Sequence, residues 1–237
     1  ASDFVEKGWS LKRTIRSLVL TEAYAQASVP HPGIAPSLLA AADPTNSLLH
    51  RMPVRRLPAE AIRDQLLAIS GSLDRRLHGP SIPTHRTDFM TGRGARESGP
   101  LDGNGRRTIY GAVYRNFLPP FLMTFDTPNP FGPKGARSVS NVPAQALALM
   151  NDPFVVDQAR KWADRLLAGT TSDDRARISR MVEAATGRLP DESALASLAG
   201  FLDEQSALYG ARDGKDARAW ADLAHALFNQ KDSLYLR

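Results

Sequence analysis

The sequence has no cysteine among its 237 residues. Without a thiol, disulfides, thiolate nucleophiles, cysteine-ligated zinc and covalent haem attachment are excluded within this sequence. It also lacks any run of about 18 apolar residues, so no segment is long enough to span a membrane as a helix. The opening residues, ASDFVEKGWSLKR, contain no apolar stretch resembling a signal peptide, and the chain begins as if cut from a longer one.

The motifs that identify common catalytic and metal sites are missing as well. The five histidines are His31, His50, His78, His85 and His225, and no two of them are four residues apart. No HExxH, GxSxG or GxGxxG pattern occurs. The residues therefore predict no metal site and specify no reaction. A site assembled from distant residues stays open.

Charge is present but unevenly distributed along the chain. The net charge is +5, and up to Pro143 there are 18 Lys and Arg against 11 Asp and Glu, whereas the rest has 12 against 14. Arginine supplies 24 of the 30 basic residues. Its planar fork holds sulfate, phosphate and carboxylate groups in a bidentate manner. The excess indicates either a surface for an anionic partner or arginines packed into salt bridges and onto loop carbonyls.

Apolar periodicity predicts a mostly α-helical fold, an irregular multi-helix bundle with a long Gly/Pro-rich loop and an extended proline-rich crossing segment. We expect a single domain, 1–237. It comprises N-terminal helices in 1–77, a mobile loop in 78–107, a central clasp in 108–151 and C-terminal helices in 152–237. Predicted helices begin at Ser10, near Pro58 and at Pro143, and later ones are capped by Ser172, Asp191 and Asp216.

The central clasp opens with a segment of ambiguous pattern. The apolar residues between Ile109 and Leu118 follow helical spacing, which predicts a helix that ends at Pro119 and Pro120. Its β-branched and aromatic content also permits a strand. Six prolines follow in 119–143, where the apolar side chains predict an ordered, extended crossing.

Candidate site residues fall on two parts of the chain. Glu60 and Asp64 share one face of a predicted helix with Arg63 beside them. Such paired carboxylates suit acid–base chemistry or the binding of a cation, or they form a solvated or salt-bridged helix face. Asp126 lies in the apolar crossing, where it needs a partner such as Arg137 or Arg107. That pair is either structural or ligand-facing. Gln145 and Asn151 could recognise a ligand or satisfy nearby backbone.

Seven blocks of the sequence resemble one known family, the planctomycete PSD-one domain, whose function is unknown. They are FVEKGWSLKRTIRSLVLTEAYAQAS, RRLPAEAIRDQLLAISGSLD, RRTIYGAVYRN, TFDTPNP, VPAQALALMNDPFV, ATGRLPDE and LAHALFNQKDSLYLR. They occur in order along the whole chain. RRLPAEAIRD, the Phe-Asp-x-Pro of 125–128 and PAQALALMN are typical of the family. Loop 78–107 differs greatly among its members.

The resemblance implies a larger setting for the chain. Such domains usually form the C-terminal module of exported proteins, after a secretion signal, a planctomycete-type cytochrome c domain and another domain of unknown function. Haem would then belong to the preceding part, and the location would be periplasmic or extracellular. Genes for sulfatases and other polysaccharide-degrading enzymes often neighbour those of the family. That association implies a role in handling polyanionic glycans.

Two functions follow as expectations. The first is a non-catalytic binding or assembly module, whose partners are the N-terminal domains of the same polypeptide and an anionic glycan, with no membrane partner. The second is a carbohydrate-active hydrolytic or redox-coupled enzyme that uses Asp126 and Glu60. Nucleic-acid binding has no recognised module to support it. The candidate ligand-binding residues are Arg55, Arg56, Glu60, Arg63, Asp64, Asp126, Arg137, Gln145 and Asn151.

Overall fold

The computed structural model describes residues 1–94, 97–171, 173–211 and 216–236. Over these residues the fold is mostly α-helical, as predicted, with eleven α-helices and a sheet of two short strands. The chain divides into two compact units, Ala1–Arg56 with Tyr235–Arg237, and Leu57–Leu234. No helix in the described part is long and apolar enough to cross a membrane.

The smaller unit holds four helices and the two strands: α1 Ser2–Glu6, α2 Leu11–Val19, α3 Glu22–Ala25, α4 Pro36–Ala42, β1 Arg55–Arg56 and β2 Tyr235–Leu236. The strands pair antiparallel. The helix predicted from Ser10 is confirmed, and the Ser10 hydroxyl accepts from the Arg13 amide at 3.4 Å. A helix from Ser10 to near Ala27 was predicted, but α2 ends at Val19 and Thr21 caps a separate helix, α3.

The larger unit contains the remaining helices: α5 Ala59–Ser70, α6 Pro120–Thr124, α7 Pro143–Asn151, α8 Pro153–Leu167, α9 Asp174–Thr186, α10 Glu192–Leu208 and α11 Ala217–Phe228. Asp191 and Asp216 cap their helices as predicted, each accepting a backbone N–H near the helix start. Gly71 ends α5 in the left-handed conformation, φ 82°. The cap predicted at Ser172 lies outside the described residues.

Helix α8 organises the core of the larger unit by packing against α5 and α11. Its Trp162 ring stacks on Phe228 of α11 with centroids 5.1 Å apart. Ala159 and Ala163 are fully buried on the same helix, and such small side chains let neighbouring helices approach closely. The buried Gln158 side chain accepts from the Ser70 hydroxyl at 2.6 Å, which ties α8 to the end of α5. These contacts position α5 and α8 relative to each other.

The helix predicted over 108–118 is wrong. A 3₁₀ turn at Thr108–Tyr110 is the only helical part, and the chain then runs beside Ile82. The Ile82 amide donates to the Tyr110 carbonyl and its carbonyl accepts from the Ala112 amide, both at 2.8 Å. Strand-like backbone hydrogen bonds to Ile82 therefore replace helical ones in this segment. The β-branched content of the segment permitted this alternative.

Close backbone contacts anchor the described parts of loop 78–107. A Cβ on Gly99 would lie 1.9 Å from the Pro83 carbonyl oxygen, and one on Gly105 would lie 2.0 Å from that of Ser72. Asp74 and Arg106 form a bridge at the loop's base. Glycine is required at both points because no side chain fits. The mobility of this loop stays a prediction.

Candidate functional site

A pocket of about 880 Å³ opens in the larger unit. Its wall is built by the first turns of α5 and α8, by α6, and by residues within 82–87 and 100–113. Its titratable and charged lining residues are Glu60, Arg63, Asp64, His85, Arg106, Arg107, Arg137 and Asp152. Four of the nine candidates from the sequence, Glu60, Arg63, Asp64 and Arg137, thus meet in one place.

Arg63 is the structural base of this pocket. Its guanidinium donates to the Arg106 carbonyl at 3.0 Å, the Asp102 carbonyl at 2.7 Å and the Thr108 hydroxyl at 3.1 Å. Burial lowers the pKa of Arg63, and the charges of Asp64 and Asp102 oppose that shift. Because its donors already serve the 102–108 backbone, Arg63 shapes the pocket and offers few donors to a ligand.

Asp64 contacts Thr108 and Arg107, at the end of the segment 102–108 that Arg63 also binds. Its Oδ1 accepts from the Thr108 amide at 2.7 Å and from the Thr108 hydroxyl at 2.6 Å. Its Oδ2 lies 3.8 Å from the Nε atom of Arg107. Glu60 and Asp64 therefore have different partners, although they share one helix face. The Asp64 carboxylate accepts hydrogen bonds from Thr108, the residue next to Arg107.

Glu60 and Arg137 form an ion pair at the pocket wall. The Arg137 Nη1 donates to Glu60 Oε2 at 2.7 Å, and the Arg137 side chain is 52% exposed. Partial burial raises the pKa of Glu60, but the bonds from Arg137 and from its own backbone, with the Arg137 charge, outweigh it and lower the pKa. Arg107 is similarly open, at 47% exposure. These two arginines are the accessible cations of the lining.

Asp126 belongs to a polar cluster behind the wall. Its carboxylate accepts from the Ser140 amide at 2.7 Å and from the Ser140 hydroxyl at 2.8 Å. The buried Gln145 amide group donates to the same hydroxyl at 3.1 Å and to the Thr124 carbonyl at 3.0 Å. The two arginines expected as partners of Asp126 have other ion-pair partners: Arg137 is hydrogen-bonded to Glu60 at 2.7 Å, and Arg107 lies 3.8 Å from Asp64. The cluster fixes the course of the central clasp.

The three remaining candidates are not among the lining residues of the pocket. Asn151 is exposed at the end of α7 and donates to the Leu147 carbonyl. Arg55 and Arg56 form strand β1 of the smaller unit. The structure therefore brings together one subset of the predicted surface and leaves these residues in separate settings.

Four charged or titratable pocket residues were not among the candidates from the sequence: His85, Arg106, Arg107 and Asp152. The Asp152 Oδ1 caps α8 by accepting from the Phe154 amide at 2.9 Å. Burial raises the pKa of Asp152, and the nearby His85 ring opposes this to a smaller extent. The His85 Nδ1 lies 3.0 Å from the Gly99 carbonyl oxygen. In the sequence, Asp152 lies in an Asn-Asp-Pro motif between two helices. An aspartate at such a break commonly caps the next helix, and this signal could have identified it.

No group of three or more His, Cys, Asp or Glu side chains suited to a metal ion exists within the described ranges. The pocket lining combines charged and hydrogen-bonding groups with apolar side chains. Two open arginines stand on its wall, with an imidazole and a partly buried carboxyl in the same lining.

Comparison with known proteins gives one family. The family model described as PSD1, protein of unknown function (DUF1553), matches residues 1–202. No curated protein and no solved structure matches the chain.

Proposed function

The chain belongs to the PSD1 family, whose function is unknown, and we propose that it is a non-catalytic module that binds an anionic, sulfated glycan. The proposal rests on one observation, the pocket with Arg107 and Arg137 half-exposed on its wall. A guanidinium binds the oxygens of a sulfate group through two parallel N–H donors. The two arginines provide donors with which the pocket can bind one or two such groups.

The size of the pocket supports a small segment of a chain ligand. At about 880 Å³ it lies within the range of about 300–1,000 Å³ typical of ligand pockets. The first turn of α5 reaches the lining, and this helix start has no side-chain cap. The partial positive charge at such a helix end adds to the attraction for an anion.

The ion pairs already present indicate how the ligand is held. Arg137 is bonded to Glu60 and Arg107 lies near Asp64. Exposed pairs of this kind contribute about 0.2–1 kcal/mol each. A sulfate group can therefore compete for the outward face of each guanidinium at small cost, while the acidic residues keep both side chains in position.

The enzyme alternative, with Asp126 and Glu60 as acidic groups, has less support. It requires both carboxylates to converge on one point. Glu60 lines the pocket and is paired with Arg137, whereas Thr127 is in the lining and Asp126 is bonded to Ser140 behind it. The geometry thus favours binding.

The wider setting is part of the proposal. We propose that the module lies at the C-terminal end of an exported, cytochrome c-linked protein of planctomycete type, outside the cytoplasm. In that setting it would dock with the preceding domains of the same polypeptide and present a glycan to them. The family resemblance supports this placement.

Isothermal titration with a sulfated galactan tetrasaccharide and its desulfated counterpart tests the proposal. We expect binding of the sulfated form, and about tenfold weaker binding in the Arg137→Gln variant through loss of a charge-assisted bond. Arg175→Gln is the matched control, because Arg175 is 49% exposed, is paired with Glu192 and lies outside the pocket. Equal affinity for both sugars, or equal losses in both variants, would overturn the proposal.

A further inference from the structure

The pocket presents two unused hydrogen-bond acceptors. A carbonyl oxygen only accepts, so the contact of the His85 Nδ1 with the Gly99 carbonyl at 3.0 Å places the proton on Nδ1. In the neutral ring the Nε2 atom is then an acceptor. No described residue donates to it, and none donates to the Asp152 Oδ2, since the α8 cap uses Oδ1.

These acceptors suit one kind of ligand group. A neutral hydroxyl donates its proton to an imidazole nitrogen or a carboxyl oxygen. A sulfate group has no proton to donate and would meet the Asp152 carboxylate as a like charge. The same lining therefore contains cations that attract sulfate and acceptors that reject it.

On the basis of the proposed function, we infer that His85 and Asp152 form a hydroxyl-reading end of the pocket, which selects partially sulfated glycans over fully sulfated ones. Arg107 and Arg137 bind the sulfate group of the ligand. His85 and Asp152 bind the free hydroxyls of the same or the adjoining sugar. Selection arises from an unfavourable contact as well as a favourable one, as specific sites commonly require.

The local environment of Asp152 agrees with this role. Burial raises the pKa of its carboxyl, because water reaches the charged form poorly. A carboxyl in that position gains from a hydroxyl that donates to it. Phe154, two residues after the cap, packs edge-on against Phe121 with ring centroids 5.9 Å apart. The acceptor is thus held on a rigid helix start.

The test compares a partially sulfated tetrasaccharide, which has free hydroxyls on each sugar, with its persulfated form. Wild-type protein is expected to bind the partially sulfated sugar about tenfold more tightly, although it carries fewer charges. Charge alone predicts the opposite order. The Asp152→Asn variant is expected to lose most of this preference, by binding the persulfated sugar more tightly and the partially sulfated one more weakly.

Two variants separate the inference from changes in folding. Asparagine also caps helices, so Asp152→Asn preserves the start of α8. His85→Asn retains an N–H for the Gly99 carbonyl and removes the Nε2 acceptor, and it should weaken binding of the partially sulfated sugar alone. Melting temperatures of both variants are measured beside the affinities, with Arg175→Gln as the control for unrelated surface change.

The outcomes distinguish the two proposals. If sulfated sugars bind and Arg137→Gln weakens them, but both acceptor variants keep the wild-type preference, the hydroxyl-reading end is wrong and the anion site stands. If the wild type binds the persulfated form more tightly, the inference is also overturned. If neither sugar binds, both proposals fail.

Discussion

Glu60 sets how much positive charge Arg137 offers to a ligand. The two side chains are 2.7 Å apart at the pocket wall, and Glu60 is held ionised by the arginine, which lowers its pKa. In a binding site for anions this acid competes with the ligand. It also restrains the arginine, so its contribution has two opposing parts.

Neutralising Glu60 should therefore strengthen the binding of a sulfated glycan. We predict that Glu60→Gln raises the affinity for the sulfated tetrasaccharide about two- to fivefold, which corresponds to the loss of one exposed ion pair. Titration calorimetry at low salt measures it. Glu192→Gln is the control, since Glu192 pairs with Arg175 outside the pocket. A fall in affinity would show that Glu60 contacts the ligand itself.

Arg63 illustrates a charged residue whose role is structural. It donates to two carbonyls and one hydroxyl of the segment 102–108. Its guanidinium carbon lies 5.4 Å from the centroid of the Phe154 ring. Removing it leaves buried acceptors without a donor, which costs more than the bonds themselves contribute.

We predict that Arg63→Met lowers the free energy of unfolding by about 3 kcal/mol. Methionine keeps the apolar stem, so the loss reports the guanidinium. Urea denaturation followed by circular dichroism gives the value. The exposed Arg160 of α8, changed to Met, should alter stability by less than about 0.5 kcal/mol. Similar values for both variants would contradict the structural role of Arg63.

Among the elements, the start of α8 joins stability to function. Asp152 caps the helix while burial raises its pKa. A raised pKa in the folded state means that folding is favoured when the carboxyl is protonated. This contribution is complete below the unfolded-state pKa, which is about 3.8 for an ordinary Asp carboxyl, and is lost as the pH rises through the folded-state pKa.

Replacing Asp152 by Asn should therefore not weaken the fold at neutral pH. We predict that the stability of Asp152→Asn relative to wild type increases from acid to neutral pH, whereas Asp152→Ala loses about 1 kcal/mol through the missing cap. Thermal unfolding between pH 3 and pH 7 provides the comparison. If Asn and Ala variants are equally destabilised at pH 7, the cap assignment is wrong.

The segment 97–107 forms part of the pocket wall. Gly105 has φ 69°, and a Cβ there would lie 2.0 Å from the Ser72 carbonyl oxygen. The neighbouring Arg106 is buried and donates to the carbonyls of Arg76 and His78. The position of Arg107 thus depends on a backbone contact that only glycine permits.

We predict that Gly105→Ala destabilises the protein by about 2 kcal/mol or more and weakens glycan binding in parallel. The strained φ and the clash both act on the turn that carries Arg107. Denaturation and titration of the same samples check both effects. Gly132→Ala, at a site with open space around it, should change neither. Normal binding by a destabilised Gly105→Ala protein would separate this turn from the site.

At the scale of the whole molecule, local signals predicted the helices well. The starts of α5 and α7 agree with the signals at Pro58 and Pro143, because such helix-start signals act within one turn. The segment after Thr108 was predicted wrongly because its backbone bonds go to Ile82, far away in sequence. Periodicity contains no information on such a partner.

The site was only partly predictable for the same reason. Glu60, Arg63 and Asp64 were found because one helix face presents them. His85 and Asp152 were missed because they meet only through the packing of a loop against α8, across more than 60 residues of sequence. Charge counts indicated an arginine surface without distinguishing Arg63, used by the backbone, from Arg137, open at the wall.

A crystal structure of the protein with the partially sulfated tetrasaccharide tests the central claim most directly. We predict sulfate oxygens within about 3 Å of the Arg107 and Arg137 guanidinium groups, and a sugar hydroxyl at a similar distance from the Asp152 carboxyl. A sugar bound elsewhere on the surface, with an empty pocket and both arginines still held by Glu60 and Asp64, would contradict it.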